Sequence, residues 1–154
     1  MGFNDRYSHH KLTHGSSVDV GSLSSLPAES WQAAVFNIDQ WYARRLSELI
    51  DKLSAYTEPG GTLLDNSSVL YMNDVANGLT HSYVDLPVML IGGMQGYFKQ
   101  GQHINVSPGN PVANEMYAPS NMLCTTLANA MGVPLTDFGV ASTGKPGELG
   151  ELKR

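Results

Sequence analysis

The stretch that decides the fold runs from Val69 to Gly93 and reads VLYMNDVANGLTHSYVDLPVMLIGG. Two short apolar runs, 69–72 and 86–91, lie near its ends and show no strict alternation of polar and apolar residues. Such runs are typical of strands that are covered on both faces in an α/β sheet. The residues between them include an acid, Asp74, and an imidazole, His81. We therefore expect the Asp74 and His81 side chains to lie at the edge of the hydrophobic core, between the two buried strands.

Helical patterns flank these two strands. A stop is expected at Glu58-Pro59-Gly60-Gly61, because proline cannot continue a helix and glycine frees the backbone. A shorter helix is predicted from Ser120 to Met131, and Tyr97 to Val106 is predicted to form an irregular hairpin. From about Pro27 to the first stop, apolar residues recur at steps of three and four, which predicts one long amphipathic helix: Trp31, Val35, Ile38, Tyr42, Leu46, Leu49, Leu53 and Tyr56.

The order of these elements predicts an α/β fold in which a layered sheet is flanked by helices. We expect residues 1–26 to form a polar arm with a histidine cluster, residues 27–141 the α/β core, and residues 142–154 a surface tail. In sheets of this kind functional groups gather at the carboxyl ends of strands. Asp74 lies just past the end of the first strand.

Length and composition exclude several classes of protein. The chain has 154 residues, which fits one domain, and 42% of them are hydrophobic while 15% are charged, as in globular proteins. The formal net charge is -5 and the longest basic run is the pair Arg44-Arg45, so nucleic acid and acidic lipid are not expected as partners. The sequence shows neither a signal peptide nor an apolar stretch long enough for a membrane span.

Two pairs of residues are candidate metal ligands. His10 and His14 have the i, i+4 spacing that places two imidazoles on one helix face, a common geometry for zinc. Asp74 and His81 are expected to converge over the sheet edge, and a carboxylate with imidazoles suits zinc, manganese or iron. The spacing alone leaves another interpretation open, in which Asp74 caps a turn, His81 is a hydrogen-bonded loop residue, and the histidines of the arm are merely polar.

The sequence resembles the C-terminal part of a bacterial family of exported proteins of unknown function, which is similar to the alkaline phosphatase and sulfatase superfamily. The stretches that carry the resemblance cover most of the chain in the same order: SHHKLTHG, IDQWYARRLSELIDKLSAYTEPGGTLLDNSSVLY, NGLTHSYVDLPVMLIGG, KQGQHI and NMLCTTLANAMGVPLTDFG. The resemblance implies the C-terminal half of an alkaline phosphatase-like domain and a site for zinc or another divalent metal. The implied ligands are Asp74 at the strand end, His81 as the later histidine, and His10 with His14 as the upstream pair.

The sequence departs from the superfamily pattern at several points. Asn73-Asp74 stands where phosphatases carry an Asp-His pair, and His10 stands where they usually carry Asp. The superfamily's nucleophile and first metal ligands belong to an N-terminal half that has no counterpart here. The resemblance therefore implies a partial domain that needs a homo-oligomer or a partner chain to supply the missing half, and an exported or periplasmic location.

Two functions follow from this reasoning. The chain either contributes a metal site to hydrolysis of a phosphate or sulfate ester, or it is a non-catalytic structural or protein-interaction module that assembles through an exposed sheet edge. Both predict an α/β core. Bound metal distinguishes them, because only the first function requires it.

Overall fold

The computed structural model describes residues 9–14, 28–106, 120–139 and 146–154, and the chain is of the mixed α/β class. In these residues no helix is both long and apolar enough to cross a membrane. The elements, in chain order, are α1 (His9–Thr13), α2 (Ala28–Ala55), β1 (Thr57–Glu58), β2 (Gly61–Thr62), α3 (Leu63–Asn66), β3 (Val69–Met72), β4 (Val88–Ile91), α4 (Ser120–Ala130) and a 3₁₀ turn (Gly150–Leu152).

The chain divides into two compact units. The first unit comprises residues 1–52 and 72–88, and the second unit comprises residues 53–71 and 89–154. All four candidate ligands, His10, His14, Asp74 and His81, belong to the first unit. The candidate site can therefore be described within one unit.

The long predicted helix is present as α2, but it ends at Ala55, before the predicted stop. The residues after it form a small antiparallel hairpin in which Thr57 pairs with Thr62 and Glu58 with Gly61. Pro59 and Gly60 make the turn, with Gly60 at a φ of 96° that favours glycine. The proline and glycine therefore close a hairpin instead of ending the helix.

A capping box starts the short helix α3, an element that the hydrophobic pattern did not predict. The backbone N–H of Thr62 donates to Asp65 Oδ2 at 2.8 Å, and the backbone N–H of Asp65 donates back to Thr62 Oγ1 at 3.2 Å. The backbone N–H of Thr62, followed by its hydroxyl, lowers the pKa of the Asp65 carboxyl. This reciprocal bonding satisfies two donors that a helix start otherwise leaves unpaired.

Strands β3 and β4 pair with each other, and neither has another strand beside it in the described part of the chain. The prediction that both are covered on both faces is wrong. Leu70 and Met72 of β3 are 37% and 39% exposed, and Val88 and Met89 of β4 are 39% and 46% exposed. A strand in a two-stranded sheet lacks the neighbours that bury a central strand, which explains the exposure.

The second unit has its best-buried residues around Phe98 and α4. Phe98 is 1% exposed, Thr125 and Thr126 are fully buried, and Leu149 is 7% exposed. The Thr126 hydroxyl donates to the Met122 carbonyl at 2.7 Å and accepts from the Leu149 N–H at 2.8 Å. The buried Thr126 hydroxyl is therefore satisfied both as a donor and as an acceptor.

The predicted hairpin over Tyr97 to Val106 is wrong, because this segment pairs with the end of the described chain. Phe98 forms an antiparallel bridge with Lys153, the Lys99 N–H donates to the Leu152 carbonyl at 2.9 Å, and the Arg154 N–H donates to the Tyr97 carbonyl at 3.2 Å. A pairing partner so distant in sequence leaves no local turn signal.

A group of three side chains adds to this pairing. The Glu148 carboxylate accepts a hydrogen bond from the Tyr97 hydroxyl. It also forms an ion pair with Lys153, whose Nζ lies 2.7 Å from Glu148 Oε2. Lys153, followed by Tyr97, lowers the pKa of the Glu148 carboxyl, while partial burial and the Glu148 contact raise the pKa of Tyr97. The charged form of Glu148 is thus favoured in the folded chain.

Gly92→Ala tests the close packing of the turn after β4. Gly92 has a φ of 107°, and an added methyl would collide with the Ser67 carbonyl oxygen and lie 2.9 Å from that of Leu64. We expect a loss of at least ~3 kcal/mol in the free energy of unfolding, measured with urea. The matched control is Gly101→Ala, where φ is 74° and nothing lies within 4 Å; strain alone predicts a loss of ~1 kcal/mol there. Equal losses would contradict the close packing.

Glu148→Gln tests the Tyr97, Glu148 and Lys153 group through pH. Because the folded-state pKa of Glu148 is lowered, its contribution to stability is present above the unfolded pKa, about 4.3, and is lost as pH falls through the folded pKa. We expect the variant to be less stable at neutral pH and to lose less stability on acidification, as measured by thermal unfolding. Glu151→Gln is the control, since Glu151 is exposed and its carboxylate contacts no described residue. An identical acid response in both variants would exclude this role.

Candidate metal centre

Helix α1 and the turn residue that follows it place two imidazoles on one side and a leucine on the other: His10 lies in α1, and His14 directly follows Thr13. At 100° per residue, His10 and His14 lie about 40° apart around the helix, and Leu12 lies almost opposite. Leu12 is 5% exposed, and it packs against the side chains of α2 that are partly buried: Ala34, Val35 and Ile38. Because Leu12 anchors α1 on α2, the two imidazoles lie on the far side of α1.

The loop that carries His81 is closed by its own hydrogen bonds. Asn77 and Ser82 form an antiparallel bridge, with their backbone N–H groups each donating at 3.2 Å to the other's carbonyl. The Asn77 side-chain oxygen accepts from the N–H groups of Leu79 at 3.0 Å and Thr80 at 3.2 Å. His81 itself has a φ of 53°, a conformation that costs energy for residues other than glycine. Strain of this kind is often retained at functional sites.

Gly78 allows this loop to approach α1. A Cβ built at Gly78 would lie 2.7 Å from Thr13 Cβ and 2.8 Å from the Thr13 carbonyl oxygen. Real Cβ atoms do not come this close, so only glycine fits between the loop and α1. The close approach brings His81 next to His14, although 67 positions separate them in sequence.

Three imidazoles meet at this point. His14 Nε2 lies 3.1 Å from His10 Nε2 and 3.3 Å from His81 Nε2. The His10 and His14 rings have an interplanar angle of 75°, and the His14 and His81 rings one of 70°. The rings therefore direct nitrogen atoms toward each other instead of stacking.

A hydrogen-bond network does not account for both contacts. An imidazole nitrogen has one in-plane valence, which either carries a proton or accepts one. His14 Nε2 has two nitrogen neighbours and can form a good hydrogen bond with only one of them. Two nitrogens that bind the same tetrahedral zinc at about 2.0–2.1 Å lie about 3.3–3.4 Å apart. Both observed contacts are close to that separation.

The third pair of rings, His10 and His81, is farther apart than the other two pairs. The His10 and His81 ring centroids are 6.4 Å apart, whereas rings sharing one tetrahedral zinc have centres about 5.2 Å apart. Within the described ranges, no group of three or more His, Cys, Asp or Glu side chains is arranged so that it could hold a metal ion as it stands. The two nitrogen separations lie near the zinc value, but the ring centroids of His10–His14 and His14–His81, at 4.6 Å and 4.9 Å, are closer than about 5.2 Å, and those of His10–His81 are farther apart. Binding of one ion by all three imidazoles therefore requires the rings to move.

The predicted fourth ligand, Asp74, is exposed, and it forms no hydrogen bond or ion pair with any residue in the described part of the chain. His9, although next to His10, is also exposed. The direct contacts of the structure thus join His10, His14 and His81, and they do not include Asp74.

Solvent reaches the three imidazoles, because His10 and His81 are exposed and His14 is half-buried. Three protein nitrogens match the ligand number of catalytic zinc sites, which keep a fourth position for water or substrate. Structural zinc sites, by contrast, use four protein ligands.

The residues that position the centre were missed by sequence reasoning. Asn77-Gly78 is a strong turn dipeptide, and it could have indicated the tight loop before His81. Nothing in the sequence indicates that Thr13 packs against Gly78, because that contact depends on how two distant segments fold together.

Comparison with protein-family models finds no match to this chain. Comparisons with curated proteins and with solved structures likewise find no match. The resemblance to the alkaline phosphatase and sulfatase superfamily therefore stays an expectation from the sequence, and functional proposals must depend on the geometry described above.

Gly78→Ala should separate the loop from α1. We expect the contact between the His14 and His81 rings to be lost, because the added methyl collides with Thr13. Through-space NMR contacts between the two rings measure this directly. Leu79→Ala is the matched control, since Leu79 is 59% exposed and its change leaves the loop's backbone bonds intact. Unchanged ring contacts in Gly78→Ala would contradict the positioning role.

Proposed function

We propose that the first unit binds a divalent metal ion, zinc in the first place, through the Nε2 atoms of His10, His14 and His81. The observation that carries the proposal is the double contact of His14 Nε2, at 3.1 Å and 3.3 Å, with two other imidazole nitrogens. A shared cation makes both contacts favourable at once, which a hydrogen bond does not.

The donor set selects the metal. Imidazole suits zinc, copper, iron and nickel, whereas calcium and magnesium require oxygen ligands. Zinc accepts tetrahedral geometry with three histidines and one open position. The carboxylate of Asp74 is our proposed additional ligand or outer partner, because it belongs to the same unit and is exposed to solvent.

We further propose that this centre serves hydrolysis of a phosphate or sulfate ester in an alkaline phosphatase-like or sulfatase-like domain with a layered sheet. Bound zinc polarises a phosphoryl or sulfuryl oxygen and lowers the pKa of bound water. The residues of this chain orient the ion: His10 and His14 do so from a helix docked through Leu12, and His81 does so from a loop closed by Asn77. A homo-oligomer or a partner chain supplies the nucleophile and the missing strands.

The exposed strands favour a second function, that of a non-catalytic interaction module. Strand edges that are unpaired and apolar are templates for pairing with another chain. In the described residues β3 and β4 have only each other as neighbours, and Met89 of β4 is 46% exposed. A metal-free chain that assembles stably through this edge would fit the second function and not the first.

Isothermal titration of the full chain with Zn²⁺ tests the metal site. We expect one ion per chain, and a loss of affinity of more than ~100-fold in His14→Ala, beyond the 10–100-fold typical of outer partners. His10→Ala and His81→Ala should lose affinity as well, whereas Asp74→Ala should lose about 10-fold.

Two control variants make the titration specific. His9→Ala removes an exposed imidazole from the same helix, and His103→Ala removes an exposed one from the second unit. Both should bind zinc like the unaltered chain. Zinc binding that is absent, or that weakens equally in His9→Ala and His14→Ala, would refute the proposed site.

A further inference from the structure

Helix α1 depends on tertiary contacts for its existence. It has five residues, far fewer than the ~12–15 that an isolated helix needs to be even marginally stable. Its contacts with described residues of the first unit include Leu12 against α2 and Thr13 against Gly78, and His14, just after α1, lies beside His81. Whatever stabilises these contacts decides whether α1 is formed and docked.

Without an ion these contacts are weak. A single buried leucine contributes less than the ordering of six backbone residues costs. The imidazole contacts add little, because His14 Nε2 forms a good hydrogen bond with only one of its two neighbours. With a cation at the centre, all three imidazoles become ligands, and the ion joins α1 to a loop 67 positions away.

Docked α1 covers part of an apolar face of α2. Val35 and Ile38 are half-buried under Leu12. Tyr42 follows them on the same helix face and is 48% exposed, and neighbouring Phe36 is 59% exposed. If α1 leaves, Val35 and Ile38 join these side chains in one continuous apolar surface.

We propose that metal binding docks α1 on α2 and that metal removal releases α1, which uncovers the apolar face around Val35 and Ile38. The inference depends on the proposed metal site, but it is independent of hydrolysis. The bound ion would then control whether the apolar face of α2 is covered, in addition to any catalytic role.

Hydrogen exchange of the full chain, followed by mass spectrometry, tests this switch. With zinc, the amides of residues 12–14 should exchange at least ~10-fold slower than with a chelator present. The amides of α4, in the second unit, should exchange at the same rate in both conditions. An apolar dye should bind more strongly after chelation, since the α2 face is then uncovered.

Two variants separate the switch from the metal site. His14→Ala should lose the zinc-dependent slowing, whereas His9→Ala should keep it. Leu12→Ala retains all three ligands, so it should still show zinc-dependent slowing, but with several-fold weaker zinc affinity because docking no longer assists binding.

The outcomes distinguish the two proposals. Zinc binding by titration with equal exchange of residues 12–14 in both conditions would overturn the switch and leave the metal site standing. Absence of zinc binding would overturn the metal site, and the switch would fall with it. Slower exchange with zinc that is lost in His14→Ala and kept in His9→Ala would support both.

Discussion

The close contact between the backbone at Gly78 and Thr13 is the constraint on which the histidine centre depends. It brings together two segments that are far apart in sequence, so that His81 lies beside His14, with their Nε2 atoms 3.3 Å apart. A side chain at position 78 has no room there. The loop around Gly78 also positions His81, because the Asn77 side chain and the bridge from Asn77 to Ser82 fix the backbone that carries His81. His81 itself accepts a left-handed conformation to reach this position.

The burial energy of Leu12 is smaller than the entropy cost of ordering residues 9–14, so an additional stabilising interaction is needed there. Complete burial of one leucine contributes about 1.5–3 kcal/mol, while fixing each backbone residue costs about 1–2 kcal/mol. Leu12 alone therefore does not stabilise six ordered residues. An ion held by ligands from both segments adds to the stability of the docked helix, because its binding free energy is then folding free energy. The second unit contains larger buried side chains, among them Phe98 and Leu149, and its buried Thr126 hydroxyl is hydrogen-bonded.

The sequence predicted the elements whose signal is local. The period of α2 extends over most of a 28-residue helix. The i, i+4 spacing of His10 and His14 places both on one face only if the segment is helical; the structure has a short helix there, and their Nε2 atoms are 3.1 Å apart. The two strands were also predicted, but their burial was not, because burial depends on neighbours that a single strand does not specify. The pairing of Phe98 with Lys153 and the packing of Gly78 on Thr13 join distant segments, so no local pattern indicates them. The position of Asp74 after a strand predicts that it converges with the histidines, and this stays a prediction, because Asp74 forms no direct hydrogen bond or ion pair with a described residue.

X-ray absorption at the zinc edge of the zinc-loaded full chain shows whether three imidazoles share one ion. We expect a nearest shell with zinc–nitrogen distances of about 2.0–2.1 Å and outer-shell scattering from three imidazole rings. One ring's scattering should disappear in His81→Ala. A spectrum with oxygen ligands only, or with imidazole scattering that His81→Ala leaves unchanged, would contradict the account.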